Sequence, residues 1–337
     1  MHKMVGKYYF VMLGLILLFS CELIFAAEHS YLVVYSSVDQ EFSEPILKQF
    51  EKQTGIQVKA VYDAEASKTV GLERRLISEK SKPKADVFWN SEYLRTFKLA
   101  SEDVLAPSPL TDAEAIPATY RAADGLWNGF GIRARAFIVN NRLVPANETP
   151  KKLTDLTDPK WKGKAAIARP YFGTTSTHFA ALYAKMGEGK FIEFLKALKA
   201  NRVALLPGNS DVKDAVVAGK YAFGLTDTDD INVALEKEEP VSMVYLDQDG
   251  EGSFEIFHTV SMVKEGPNPD NAKKLLEYLS SLEVEKELIK SGAVQLSVRK
   301  IAKADENEER PKLWHTAGNE LLKALEPSAK LIRAHLE

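Results

Sequence analysis

Tyr31-Leu32-Val33-Val34-Tyr35-Ser36-Ser37 decides the fold: a β-favouring run that breaks on two serines and opens the body of the chain. From Glu41 to Thr54 the apolar residues Phe42, Ile46, Leu47 and Phe50 fall on one helical face, and Gly55 ends the helix. Pro45 is tolerable there because it lies near the first turn. Ile56 to Tyr62 reads as the next strand and Ala66 to Ser78 as the next helix, with Leu72, Leu76 and Ile77 inward. Ala85-Asp86-Val87-Phe88-Trp89 is a third strand, followed by a helix from Glu92 to Leu99. Strands and helices alternating at this spacing predict βαβ units and a mainly parallel sheet.

Further along, Phe130 to Asn140 predicts a long strand leaving this first lobe. A second series follows. Lys164–Ala168, Val203–Leu206 and Ala222–Thr226 read as strands; Thr175–Met186, Lys190–Ala200, Ser210–Ala218 and Asp229–Glu238 read as helices. Val241–Tyr245 and Phe254–Val263 are strands, the second returning to the first lobe, and a helical tail begins at Pro269. The expected division is 28–132 with 258–300 in lobe 1, and 133–257 with 301–337 in lobe 2. The polar stretch Ala302 to Arg310 reads as a solvated connection.

The composition narrows the function. Hydrophobic residues are 45% and charged residues 27% of 337, the profile of a soluble globular protein. A formal net charge of −3 offers no positive surplus to a nucleic acid. At the amino terminus Lys3 and Lys7 precede an apolar run from Tyr8 to Ser20, too short for a bilayer span of about 20 residues, which makes residues 1–27 a signal peptide. Two cleavage schemes stand open. Leu18-Phe19-Ser20-Cys21 offers a lipoprotein signal of residues 1–20 with Cys21 as lipid anchor, and Ala26-Ala27 offers ordinary small-residue cleavage. Cys21 is the sole cysteine, so the body has no disulfide and no thiolate for catalysis or zinc. None of the six histidines pairs at metal-ligand spacing, and no GxSxG elbow, P-loop or Rossmann glycine pattern occurs.

A chain that leaves one α/β lobe, builds a second and returns encloses a cleft, and ligands in such sheets sit beyond the carboxyl ends of strands. That rule selects Leu225-Thr226-Asp227-Thr228-Asp229-Asp230, an acidic cluster that either faces a hard cation or ligand ammonium group or caps the next helix. Gly173-Thr174-Thr175-Ser176-Thr177 offers hydroxyls and free backbone N–H groups to an anion, or a plain helix cap. Asn209-Ser210, Ser67-Lys68-Thr69 and Ser36-Ser37 carry the same two readings. Arg133 and Arg135, two apart on the crossing strand, point the same way and suit either a carboxylate or phosphate clamp or a salt bridge at the lobe junction. Trp89-Asn90 suits stacking and hydrogen bonding to an organic ligand, or a buried strand end.

These segments resemble the extracellular solute-binding protein family typified by the ferric-ion-binding proteins of ABC importers, over roughly residues 31 to 300. The landmarks are Tyr35-Ser36-Ser37, Phe50-Glu51-Lys52-Gln53-Thr54-Gly55-Ile56-Gln57-Val58, Ala85 to Trp89, Asp158-Pro159-Lys160-Trp161-Lys162-Gly163, Gly208-Asn209-Ser210 and Asp214-Ala215-Val216-Val217-Ala218-Gly219. The resemblance implies a two-lobed α/β type II periplasmic-binding-protein fold, a periplasmic monomer that closes on a small ligand, and delivery to an ABC permease in the cytoplasmic membrane. It implies no catalysis. Ferric-binding members hold the metal with a histidine, a glutamate and two adjacent tyrosines, plus an anion. Here the histidine position falls on Asp39, the tyrosine pair on Asp229-Asp230, and the glutamate on Ser91 or Glu92. The expected metal set is therefore Asp39, Glu92, Asp229 and Asp230, and the expected ligand contacts are Ser36, Ser37, Ser67, Asn90, Gly173, Thr174, Thr175, Asn209 and Asp227. Such a mixture suits a metal ion with a bound anion or a small zwitterion such as an aminophosphonate. A sensor or an enzyme on the same fold is the remaining alternative.

Overall fold

The computed structural model describes residues 30–63, 68–299 and 310–336. Residues 1–27, expected as a signal peptide and including Cys21, lie outside the described residues, as do Ser67 and most of the polar connection.

In chain order the strands are β1 (Tyr31–Ser36), β2 (Gln57–Tyr62), β3 (Val87–Asn90), β4 (Leu105–Ala106), β5 (Asn128–Asn140), β6 (Ala165–Ala168), β7 (Ala204–Leu206), β8 (Phe223–Asp227), β9 (Val241–Tyr245), β10 (Ser253–Val263) and β11 (Leu313–Trp314). The α-helices are α1 (Gln40–Thr54), α2 (Val70–Ser78), α3 (Leu94–Ser101), α4 (Gly173–Ala200), α5 (Asn209–Val217), α6 (Thr228–Glu236), α7 (Pro269–Leu279), α8 (Leu282–Lys290) and α9 (Gly318–His335). The two helices expected between Thr175 and Ala200 run as one, α4, broken only at Gly187, whose φ of 74° and ψ of 165° are not helical. Glycine alone takes that conformation without strain.

Strands β1, β2 and β3 pair in parallel, and so do β6, β7 and β8. The long strands β5 and β10 run antiparallel between these two sets. Along β5 the partner changes: Asn128 to Ala134 pair with β10, then Arg135 to Val139 pair with β8 and Ala136 to Asn140 with β9. Hydrogen bonding is thus continuous from β2 to β7, in the order β2-β1-β3-β10-β5-β8-β6-β7. The parallel sets are joined by crossing strands instead of standing as two separate sheets.

Alternation along each strand builds a core on both faces, as a helix-covered parallel sheet requires. Leu32 and Val34 of β1 enter a cluster with Phe50, Trp89 and Leu275, while Tyr35 packs on the opposite face with Leu72, Leu76 and Phe88. In the second half Phe137 and Val139 of β5 join Phe179, Phe191 and Phe223, and Ala136 and Ile138 join Val212, Val216 and Ile231. Burying one such aromatic or branched side chain contributes about 1.5–3 kcal/mol. Trp161 docks edge-on against Phe223, with ring centroids 5.2 Å apart, which anchors the Asp158 to Gly163 turn to β8. The helix α9 and the residue that follows it serve both halves: Leu321, Ala324 and Leu325 enter the first core, Ile332 and Leu336 the second.

Candidate functional site

Because β6, β7 and β8 are parallel, their carboxyl ends leave the sheet on one edge, and the helices that follow, α4, α5 and α6, begin there. Their amino-terminal residues gather around one cavity: Gly173, Thr174 and Thr175 from α4, Asn209 from α5, and Asp229 and Asp230 from α6, with Asp227 at the end of β8. The opposite wall comes from the first half, with Asp39 before α1, Lys68 before α2 and Ser91 after β3. Arg133 lines the cavity as well. The open space in the cavity is about 20 Å³, room for one ion or one or two waters.

Arg135, fully buried, organises the second wall. Its Nη1 donates to Asp227 Oδ1 at 2.6 Å, Thr174 Oγ1 at 3.1 Å and Asn209 Oδ1 at 3.1 Å; its Nη2 donates to Thr175 Oγ1 at 3.1 Å and the Leu225 carbonyl at 3.3 Å. The Thr174 hydroxyl and the Asn209 amide in turn donate to Asp227 Oδ2, at 2.6 and 3.0 Å. The side chains of Thr174, Thr175, Asn209 and Asp227 therefore neither cap helices nor stand free. Asp227 occupies the N-cap position of α6, yet its side chain makes no cap bond there, and α4 is likewise uncapped by any side chain. Charge pairing with a buried guanidinium outweighs a cap bond.

Arg133 joins the two walls. Its Nη1 donates to Asp229 Oδ2 and reaches Asp227 Oδ2 at 3.4 Å, and its Nη2 donates to the Ser91 carbonyl at 2.6 Å. Both arginines thus form the salt bridges that their spacing allowed. Half-buried Asp230 accepts from the Ser210 hydroxyl at 3.0 Å and the Thr226 hydroxyl at 2.9 Å. Lys68 Nζ donates to Asp39 Oδ1 at 2.5 Å. Asp229 is 4% exposed, and its Oδ1 has no hydrogen-bond partner among the described residues.

The three aspartates titrate differently. Burial pushes the Asp227 carboxyl up, but the Arg135 and Arg133 guanidiniums and the Thr174 hydroxyl outweigh it and hold Asp227 below its ordinary range. Burial lifts Asp229 to about 6 against the pull of Arg133, with Asp227 and Asp39 adding to the rise. Burial and the neighbouring Asp229 and Asp227 charges raise Asp230 well above the usual carboxylate range. One oxygen from each of Asp227, Asp229 and Asp230 lies within 4.8 Å of the others, close enough to share a cation. Carboxylate oxygens suit hard ions, and the unpartnered Asp229 Oδ1 leaves a buried acceptor for one.

Of the expected contacts, Asp39, Gly173, Thr174, Thr175, Asn209, Asp227, Asp229 and Asp230 meet at this cavity. Four others stand apart. Glu92 is fully buried, and its carboxylate accepts from the Leu94 and Arg95 backbone at 2.6 and 3.0 Å and from the Thr177 hydroxyl at 2.8 Å, so it caps α3 and does not face the cavity. Ser36 bonds the Val38 amide at 3.2 Å. Ser37 donates to Asn90 Oδ1 at 2.6 Å, and Asn90 donates onward to Thr96 at 3.1 Å, an internal chain that fastens β1 to β3. Trp89 is fully buried against Phe130. Ser67 lies outside the described residues. Exposed Arg169, which also lines the cavity, went unread in the sequence, although its place one residue beyond β6 satisfies the strand-end rule.

The family model for bacterial extracellular solute-binding proteins matches residues 46–313. The chain belongs to that family. Among relatives of this solute-binding protein, the "Iron uptake protein A1" of Synechocystis is 27% identical over 264 residues, covering 75% of this chain and 72% of the relative. A "Putative 2-aminoethylphosphonate-binding periplasmic protein" of Salmonella typhimurium is 27% identical over 242 residues, covering 70% and 68%. The iron-bound HitA structure from Pseudomonas aeruginosa superposes with a TM-score of 0.79 at 24% identity, covering 90% of this chain and 99% of that one. The fold is therefore the two-lobed type II periplasmic-binding-protein fold. Relatives and neighbours are binding proteins.

Proposed function

We propose that this solute-binding protein captures a hard metal ion, ferric iron with an accompanying anion, in the periplasm and hands it to an ABC permease without catalysing a reaction. The lobes in this reading are 28–132 with 258–300 and 133–257 with 301–337, acting as a monomer that hinges on β5 and β10. Cys21 lipidation and cleavage after Ala27 are the two forms of export open to it, and no nucleic acid takes part.

One observation carries the reading: Asp229 Oδ1, buried and unpartnered, beside Asp227 and Asp230 at a cavity of about 20 Å³. A space of that size is enough for an ion. The iron-related names among the relatives agree with it. The accompanying anion would meet the amino-terminal N–H groups of α4 and α5, which lie at the cavity.

A zwitterion such as an aminophosphonate is the second reading. Lys68, Arg133 and Arg169 line the same cavity as the aspartates, so both charges of such a ligand have counterparts.

Thermal shift separates them. A ligand at 100 times its Kd stabilises the native state by about 2.7 kcal/mol. Ferric citrate or ferric ion with carbonate should raise the melting temperature, and replacing Asp229→Ala together with Asp230→Ala should abolish the rise while the apo protein stays folded. A shift from aminoethylphosphonate alone would install the second reading, and an unchanged ferric shift in the double variant would mean that these acids do not hold the metal.

A further inference from the structure

A cation of the protein's own stands among the carboxylates. Arg133 pairs with Ile256 of β10 one residue before that pairing ends at Ala134, so its side chain emerges where the two halves meet. Its Nη1 lies between Asp229 and Asp227, two of the three carboxylates that face one another, and its Nη2 holds the Ser91 carbonyl of the opposite wall. The side chain is 4% exposed, and its Nε has no acceptor among the described residues. Arg135, two residues on, differs in kind: it faces five acceptors, all on its own side of the cleft. Arg135 is a fixture of the wall, whereas Arg133 is held by groups that a bound cation would also need.

We propose that Arg133 is the specificity-determining residue of the cleft, a resident counter-cation that an incoming metal ion must displace from Asp229 and Asp227. The inference rests on the metal reading above. Displacement sets a threshold on ionic charge. A divalent ion that replaces a guanidinium gains only one unit of charge against the carboxylates, a small return for displacing a bonded side chain. A trivalent ion gains two units at the same site. The displaced guanidinium, still tethered through β5, remains close enough to oppose a weakly held ion. The cleft would therefore refuse the divalent ions abundant outside a cell while admitting a more highly charged one.

The test compares the native protein with Arg133→Gln and Arg133→Lys, each titrated with Tb³⁺ by luminescence and with Ca²⁺ by calorimetry at fixed pH and salt. Circular dichroism establishes that each is folded. Arg133→Gln should bind Ca²⁺ about tenfold or more tightly than native, and its preference for Tb³⁺ over Ca²⁺ should fall about tenfold. Arg133→Lys keeps the charge but loses the forked reach, should fall between the two, and carries the test if the glutamine variant does not fold. Equal Ca²⁺ affinity in the native and substituted proteins overturns the proposal. So does weaker Tb³⁺ binding by Arg133→Gln, which would make Arg133 an anchor for the accompanying anion. Failure of native protein alone to bind Tb³⁺, with a gain on substitution, would sink the metal reading yet uphold displacement; no binding by any of the three sinks both.

Discussion

Gly173 donates its backbone N–H to the Lys68 carbonyl at 2.9 Å, tying the start of α4 to the opposite wall of the cleft. Two side-chain contacts reinforce the seam: Arg95 Nη2 donates to the Ser176 hydroxyl at 3.0 Å while its Nη1 pairs with Glu73, and the Thr177 hydroxyl donates to Glu92 at 2.8 Å. The first turn and a half of α4 thus serves as both ligand cradle and lobe contact, which links what the cleft binds to how firmly the halves hold together.

The Thr177 contact is the most separable of these. Burial raises the Glu92 carboxyl above its usual range, opposed by Arg95 and by the Thr177 hydroxyl. Removing that hydroxyl leaves a fully buried carboxylate oxygen with one donor fewer, at a cost of about 1–3 kcal/mol. Thr177→Val should lower the unfolding free energy by that amount in urea denaturation, and Thr177→Ser should stay near native. A valine variant indistinguishable from native would show that the seam carries no stability through this bond.

Acid should weaken the fold through its buried histidines. His178 stacks on Phe254 with centroids 4.9 Å apart and planes 7° from parallel, and burial, with Arg135 nearby, holds its imidazole well below 6.5. The unfolded chain takes up that proton near pH 6.5 while the native state refuses it. The stability due to neutral His178 is complete above 6.5 and is lost as pH falls, by at most about 2 kcal/mol at pH 5. Asp229 and Asp230 tilt the other way, since their raised values keep protons in the native state that the unfolded chain has released. The readout is therefore a difference. His178→Phe keeps the stack, and between pH 7.5 and 5 it should lose less stability than native, by up to about 2 kcal/mol, in parallel urea titrations. Matching slopes would mean that His178 is protonated in the native state.

Arg135 and Asp227 should behave as one unit. Breaking a buried pair by removing one partner costs about 3–5 kcal/mol, because the other charge is left uncompensated. Arg135→Met and Asp227→Leu should each destabilise by that order, and the double variant by clearly less than their sum, giving a coupling energy above about 1 kcal/mol. Additive effects in a urea-denaturation cycle would show that the two side chains are stabilised independently, by the Thr174 and Asn209 groups.

Much of this was legible in the sequence. Alternating strand and helix patterns fixed the βαβ units because period 2 and period 3.6 are physically distinct, and the strand-end rule found the turns at Thr174, Asn209 and Asp227. Where each polar side chain turns within those ends was not legible. Asp227 faced a choice between its own helix and a guanidinium 92 residues away in the chain, and only tertiary placement decides such a contest. Glu92 and Ser37 were spent internally for the same reason: both sit at strand ends, but their partners Thr177 and Asn90 come from packing, which no local pattern encodes. Arg169 is the opposite case, a residue that the rule itself covers.

Gly224 connects packing to binding. It lies in β8 beneath α5, and a Cβ placed there would stand 2.4 Å from Val212 Cγ1 and 3.1 Å from the Ala166 carbonyl. Val212 is fully buried and the carbonyl belongs to a neighbouring strand, so neither yields easily. Gly224→Ala must push α5 outward, an overpacking worth about 1–3 kcal/mol of stability. Because α5 begins at Asn209, the same shift draws that amide from Arg135 and Asp227, which it meets at 3.1 and 3.0 Å. The variant should therefore lose ligand-induced thermal shift as well as stability, although the substituted residue touches no part of the cavity. Full retention of the ligand shift alongside reduced stability would show that α5 moves without carrying Asn209, and that the cleft tolerates a displaced wall.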